Sequence, residues 1–405
     1  MDCKGKKGLR MGKLKNKRRR DKQQKYLIGL SAVLLIILAV ILGVILFGKE
    51  KQEDNTEKVE NSEVLNENQQ GNILEETEEV EQTEEEETEV VVEPQIEDFT
   101  MFFTGDVMLQ YCHGLYAENG IGALVTEYIK QEMVNADMTM INNEFPFSTR
   151  GEKAPDKQYT FRVDPSYVSA LVDMGVDVAS LANNHALDFG KDALIDTFAT
   201  LDNAGIAYVG AGETIERAEE AIFVEAGGRK VGVLSASRVI PVVEWNVLNR
   251  QPGLFCTYDS TRLVQRIKEI ESQCDYVVVF VHWGLEKKTY PEEYQRNLAK
   301  QYIDAGADLV VGNHSHVPQG IEYYNGVPIV YCLGNYIFNP NMTDTYALKV
   351  VWDIEGETKL QVIPVDTRSH LTGELKGEEA QAFYDYLEGI SFGIEIDENG
   401  MVSHP

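Results

Sequence analysis

At 405 residues and a formal net charge of −29, the chain can hold one large domain or two ordinary ones, and it is too acidic to bind nucleic acid or another polyanion without help from metal ions. The charge is uneven: residues 1–25 carry twelve Lys/Arg against two acids, residues 49–98 carry twenty acids against three Lys, and removing both segments leaves −22 for residues 99–405. Cysteines at 3, 112, 256, 274 and 332 form no C-x-x-C pair and no zinc-finger spacing, so they read as unpaired apolar residues, with a disulfide among the last four open if the domain lies outside the cell.

Residues 1–25 form a basic tail. From Tyr26 to Phe47 the chain is apolar without a charge, which at ~1.5 Å per residue is long enough to cross a ~30 Å hydrocarbon layer. The run continues into Gly48-Lys49-Glu50-Lys51 rather than an A-x-A-like cleavage site, which favours an uncleaved single-pass anchor over a signal peptide. Lys15 to Arg20 precede it, so the positive-inside rule places the N-terminus in the cytoplasm and everything after Phe47 outside, at the cell membrane. Residues 48–98, rich in Glu, Gln, Asn and Thr, read as a disordered acidic stalk.

The folded domain spans 99–405. A strand over Thr100–Thr104 is closed by Gly105-Asp106, and apolar spacing predicts a helix from Ile121 to Met133. A strand then delivers Ile141-Asn142-Asn143-Glu144, a helix runs from Pro165 to Met174, and the run from Val176 to Ser180 delivers Ala182-Asn183-Asn184-His185. A helix from Asp192 to Asn203 stops at Gly205 before a short strand at Ile206–Val209. Gly227-Gly228 joins a hairpin, and Thr261–Glu271 is helical. Tyr276–Val281 is the plainest buried strand and delivers His282-Trp283-Gly284. A helix from Glu292 to Ala305 leads to a strand at Leu309–Val311 and to Gly312-Asn313-His314-Ser315-His316. Pro328–Leu333 is a strand ending in Gly334-Asn335, antiparallel strands follow at Tyr346–Trp352 and Lys359–Val365, and a helix covers Gly377–Gly389. Alternation of strands and helices makes the domain α/β, with an antiparallel section near its end.

Polar residues recur after five separate apolar runs: Asp106; Asn142 and Glu144; Asn183, Asn184, His185 and Asp188; His282; His314 and His316. Taken singly, an Asp after Gly is often a turn residue and a lone His is more often structural than ligating. Together, two carboxylates, an amide oxygen and three imidazoles supply the oxygen and nitrogen donors that a two-metal site needs. Trp283 can stack on substrate or pack in the core, and Arg162 and Arg238 can face an anion or lie in surface ion pairs.

Gly105-Asp106-Val107-Met108-Leu109, Asn142-Asn143-Glu144-Phe145-Pro146, Ala182-Asn183-Asn184-His185, His282-Trp283-Gly284 with Glu286, Gly312-Asn313-His314-Ser315-His316 and Leu333-Gly334-Asn335-Tyr336 together resemble the CapA/PgsA family of poly-γ-glutamate capsule biosynthesis proteins, within the calcineurin-like metallophosphoesterase superfamily. The resemblance covers residues 99 to about 368 and implies a four-layer αββα sandwich. It also implies one or two divalent cations (Mn, Fe or Zn), with Glu144 bridging, Asp106 and His316 on the first, and Asn184, His282 and His314 on the second. His185 then matches the general acid, with Asp188 the second catalytic candidate. A loop over the pocket formed by Glu286 and Tyr290-Pro291 rests on the same resemblance. The implied chemistry is hydrolysis through metal-activated water. Two features depart from the superfamily: where a His is usual two residues after the first Asp, this chain has Met108, with His113 a weak substitute, and Asn313 and Ser315 replace the residues more often seen around the His-x-His pair. The implied function is a membrane-anchored, extracytoplasmic component of poly-γ-glutamate synthesis or export, either a metal-dependent hydrolase that trims or releases the polymer or an assembly factor whose metal site is vestigial. Its partners would be membrane synthetase subunits and the polymer or another anionic polymer, with no nucleic acid. A surface metallophosphoesterase acting on a phosphate ester is the alternative, and Met108 counts against it.

Overall fold

A computed structural model describes residues 96–339 and 344–404. The basic tail, the apolar run and most of the acidic segment lie outside the described residues. Among the described residues no helix is long and apolar enough to cross a membrane.

The domain is a mixed α/β fold with two large sheets. Strands β1 (Phe99–Val107), β2 (Met138–Asn143), β3 (Val178–Ser180) and β4 (Ala207–Val209) run parallel in that order. The second sheet is built on β5 (Arg229–Ser237), β6 (Tyr276–His282), β7 (Leu309–Asn313) and β8 (Val327–Cys332), again parallel neighbours. Short β9 (Asn335–Ile337) pairs in parallel with the end of β1, Asp106 opposite Asn335. On that same edge, away from β2, the earlier part of β1 pairs antiparallel with β10 (Thr345–Trp352), which pairs with β11 (Thr358–Asp366).

The alternation of side chains along these strands dictates the layering. Phe99, Met101 and Phe103 of β1 share one apolar interior with Val278 and Phe280 of β6 and Val311 of β7, so the two sheets pack face to face. The opposite side of β1 carries Phe102, which packs with Ile129, Leu171, Leu194 and Phe198 from helices α1 (Glu127–Asn135), α2 (Ser169–Met174) and α3 (Gly190–Ala204). Val277, Val279 and Val281 face Leu263, Ile267 and Tyr302 of α4 (Thr261–Glu271) and α5 (Glu293–Ile303). Burying a side chain such as Phe280 completely stabilises the fold by roughly 1.5–3 kcal/mol.

One local reading needs correction, and one strand is added to the predicted elements. The helix predicted from Ile121 begins instead at Glu127, because the Thr126 hydroxyl accepts the Ile129 N–H as an N-cap and Ile121–Ala123 forms only a single tight turn. The segment Gln319–Tyr324 is a strand antiparallel to β8, joined to it by Asn325 at φ +54° and Gly326 at φ +81°. Cys112, Cys256, Cys274 and Cys332 are unpaired.

Candidate metal centre

Parallel strands put their carboxyl ends on one edge, and here both sheets bring theirs together. Asp106 lies near the end of β1, Glu144 directly follows β2, and Asn184 and His185 follow β3. From the second sheet, His282 is the last residue of β6, and His314 and His316 follow β7. The sequence therefore needs no long loop to assemble the cluster. Two close backbone approaches hold its shape. A Cβ on Gly105 would meet the Gly334 carbonyl oxygen at 1.8 Å, and one on Gly312 would meet that of Tyr331 at 2.1 Å. His314 and His316 stand at φ +104° and +57°, conformations costing about 1–3 kcal/mol each for a residue with a side chain, which the surrounding packing must offset.

Ligand atoms of Asp106, Glu144 and His282 lie within 4.8 Å of one another, as do those of Glu144, His314 and His316. Glu144 belongs to both groups. His316 Nδ1 is 3.1 Å from Asp106 Oδ2 and 2.8 Å from Asn335 Oδ1, while His282 Nε2 is 2.8 Å from Asn184 Oδ1 and 3.8 Å from Glu144 Oε1. The Asn142 amide donates to Asp106 Oδ1 at 2.7 Å, fixing that carboxylate from the side away from His316. All six predicted ligands are thus brought together.

The electrostatics of the cluster fit a divalent cation. Glu144 is wholly buried and neither carboxylate oxygen has a hydrogen-bond partner, whereas an unpaired buried carboxylate is costly. Burial and the neighbouring Asp106 charge push its pKa well above the usual carboxylate range. Burial holds His282 well below the ordinary imidazole value and His314 down at about 3, so both present neutral nitrogens. Burial also works to lower His316, but the charges of Glu144 and Asp106 and hydrogen bonds to Asp106 and Asn335 outweigh it and hold it at about 10. Oxygen and imidazole donors around an uncompensated carboxylate suit hard or borderline divalent metals.

His185 lies beside this cluster, 6 % exposed, with Nδ1 2.7 Å from Asp188 Oδ2. Asp188 is fully buried; it also accepts the Phe161 N–H at 2.7 Å and a hydrogen bond from Lys157. Lys157 donates as well to the Asn184 carbonyl and sits 2.9 Å from His185 Nδ1. Burial lowers the His185 pKa more than Asp188 raises it. Nothing in the sequence signalled Lys157, which lies in an irregular segment without apolar period. Asn335 was legible only as part of a motif and received no role.

Other candidates lie elsewhere. Met108 is buried in the apolar core, and His113 bonds the Gln110 carbonyl at 2.9 Å and packs on Tyr167, outside the cluster. Trp283 is fully buried and donates to the Tyr331 carbonyl at 2.9 Å, a packing role. Arg162 bonds the carbonyls of Arg150 and Gly151. Arg238 instead lies against a cleft beside His314.

Comparison with known proteins gives a consistent picture. The family described as "Bacterial capsule synthesis protein PGA_cap" matches residues 100–340. Among curated proteins, the chain is 31% identical over 274 residues to the PGA biosynthesis protein CapA of Bacillus subtilis, covering 65% of this chain and 70% of that one. It is 30% identical over 283 residues to the capsule biosynthesis protein CapA of Bacillus anthracis, covering 67% and 68%. A probable polyglutamine synthesis accessory protein of Mycobacterium tuberculosis is 33% identical over 215 residues, covering 51% of this chain and 57% of that one.

Proposed function

The chain belongs to the bacterial capsule synthesis protein family, and from that premise we propose that it is an accessory protein of poly-γ-glutamate synthesis whose domain carries a divalent-cation hydrolase site. The observation that carries the site assignment is Glu144, a wholly buried carboxylate with no hydrogen-bond partner, shared by two groups of candidate ligands. In this reading the two face-to-face sheets and their outer helices are an αββα sandwich of metallophosphoesterase type. The apolar run Tyr26–Phe47 anchors the domain outside the cell membrane on the acidic segment, beside the synthetase subunits.

Asp106, Glu144, His282, His314, His316 and the Asn184 amide oxygen hold one or two cations of the Mn, Fe or Zn class. Such cations bring the pKa of water toward neutrality and polarise the bond under attack. The chain's own residues handle the proton. With Nδ1–H donated to Asp188, His185 exchanges a proton with a reacting group through Nε2, and Lys157 compensates the Asp188 charge. Neighbouring Asn142 and Asn335 hold Asp106 and His316 in place.

The test is to incubate the purified chain and Mn²⁺ with poly-γ-glutamate or with bis(p-nitrophenyl) phosphate. Shortening of the polymer, lost in Glu144→Gln and in His185→Ala, is the expected result. Cleavage of the phosphodiester with the polymer intact would replace the polymer by a phosphate ester as substrate. A cation-loaded protein that cleaves neither would contradict a hydrolase and leave an assembly role.

A further inference from the structure

The proposed substrate is a polyanion, yet residues 99–405 carry a net charge of −22. Attraction must therefore come from a few cations placed at the site itself. Among basic residues near the cluster, Lys157 is already committed to Asp188. Arg238 is not committed. It directly follows β5, and its N–H donates to the His282 carbonyl at 2.8 Å, which ties its backbone to the strand end that bears a cluster histidine. Its guanidinium lies 3.9 Å from the Tyr258 ring centroid and 5.3 Å from that of Tyr294. Among the described residues, no carboxylate or carbonyl takes a hydrogen bond or an ion pair from the guanidinium.

Arg238, Tyr258, Tyr294, Gly284, Glu286 and His314 line a cleft of about 490 Å³. The cleft therefore runs from a stacked guanidinium to a histidine of the candidate metal centre. Tyr294 is fixed, its hydroxyl accepting the Gly284 N–H at 2.7 Å. Cation–π contact with two rings holds the guanidinium in place without using its N–H donors, which are the groups with which Arg takes an oxyanion through two parallel hydrogen bonds. Glu286 is exposed on the same cleft, where solvent screens its like charge.

We propose that Arg238, oriented by Tyr258 and Tyr294, is the subsite that anchors an oxyanion of the substrate next to the metal centre. Under the function proposed above, on which this rests, the oxyanion is the free α-carboxylate of a γ-linked glutamyl unit adjoining the bond at the cluster. A phosphate group offers the same chemistry, so the test carries both.

Binding of a fluorescent γ-linked glutamyl pentamer to the purified full chain is measured with Mn²⁺, by anisotropy, for the native protein, Arg238→Ala and Arg238→Lys, and binding of phenyl phosphate to the same three proteins is measured directly by isothermal titration. Mn²⁺ binding is followed in parallel and should not change, because Arg238 is not a ligand. The expected result is a loss of pentamer affinity of about tenfold or more in Arg238→Ala, with Arg238→Lys intermediate because it keeps the charge but not the fork. Pentamer binding unchanged in both variants would overturn the Arg238 subsite and leave the polyglutamate reading standing. Binding of phenyl phosphate but not pentamer, lost in Arg238→Ala, would support the subsite and overturn that reading. A native protein that binds neither would overturn the subsite.

Discussion

The buried carboxylates of this centre divide by what faces them. Asp188 has Lys157 and the Phe161 N–H, Asp106 has Asn142 and His316, and Glu144 has no hydrogen-bond donor, its nearest imidazole being His282 at 3.8 Å. That difference sets distinct outcomes for substitution. Lys157→Met should cost about 3 kcal/mol in urea unfolding, because it strands Asp188, which is fully buried behind a lysine only 12% exposed. Removing Arg150 from its bridge to Asp196, where the side chains are 54% and 23% exposed, should cost no more than about 1 kcal/mol. Cation binding should also depend on pH in a defined sense. His282 and His314, held low, bring no proton to be displaced, whereas His316, near 10, does. Apparent Mn²⁺ affinity should therefore keep rising between pH 7 and pH 9, by up to ~10-fold per unit for each proton displaced. A plateau just above the ordinary imidazole pKa would show that the cluster binds no such proton.

At the level of elements, the site depends on how closely strand ends approach. Gly312→Ala puts a methyl group 2.1 Å from a carbonyl oxygen on β8, so it should lower stability by several kcal/mol and displace His314, with loss of cation binding. Gly326→Ala has open space around its Cβ and meets only the cost of φ +81°, about 1 kcal/mol, with binding unchanged; calorimetry of the two variants checks the contrast. This scale also separates what sequence could and could not carry. Tyr276–His282 was plain because its valines are buried on both faces, and the candidate ligands could be picked out because each follows such a run. The strand Gln319–Tyr324 was missed although Asn325-Gly326 is a strong hairpin signal, since Gln319, Gly320 and Glu322 break the apolar alternation. Gln319 and Glu322 are buried polar residues satisfied by distant partners: Gln319 binds Gln295 at 2.9 Å, and Glu322 binds Arg296 and Tyr331 at 2.8 Å. Lys157 was invisible for the same reason, its partner Asp188 being thirty-one residues away.

At the level of the whole molecule, an acidic domain that handled an acidic polymer would need positive charge at one place, and the proposed metal centre with Arg238 beside it would provide it. If residues 26–47 anchor the chain as proposed, it should fractionate with membranes and be cleaved by protease added to intact cells, and removing residues 1–47 should release it; a cytosolic, protected chain would contradict the anchor. The central claim is that Glu144 is the hub of a divalent-cation site, and the most direct measurement is Mn²⁺ binding by isothermal titration and elemental analysis of the native chain and of Glu144→Gln. Bound cation in the native protein, at about one to two equivalents, and its loss in a folded Glu144→Gln is the result predicted. Equal binding by both proteins, or none by the native chain, would contradict it.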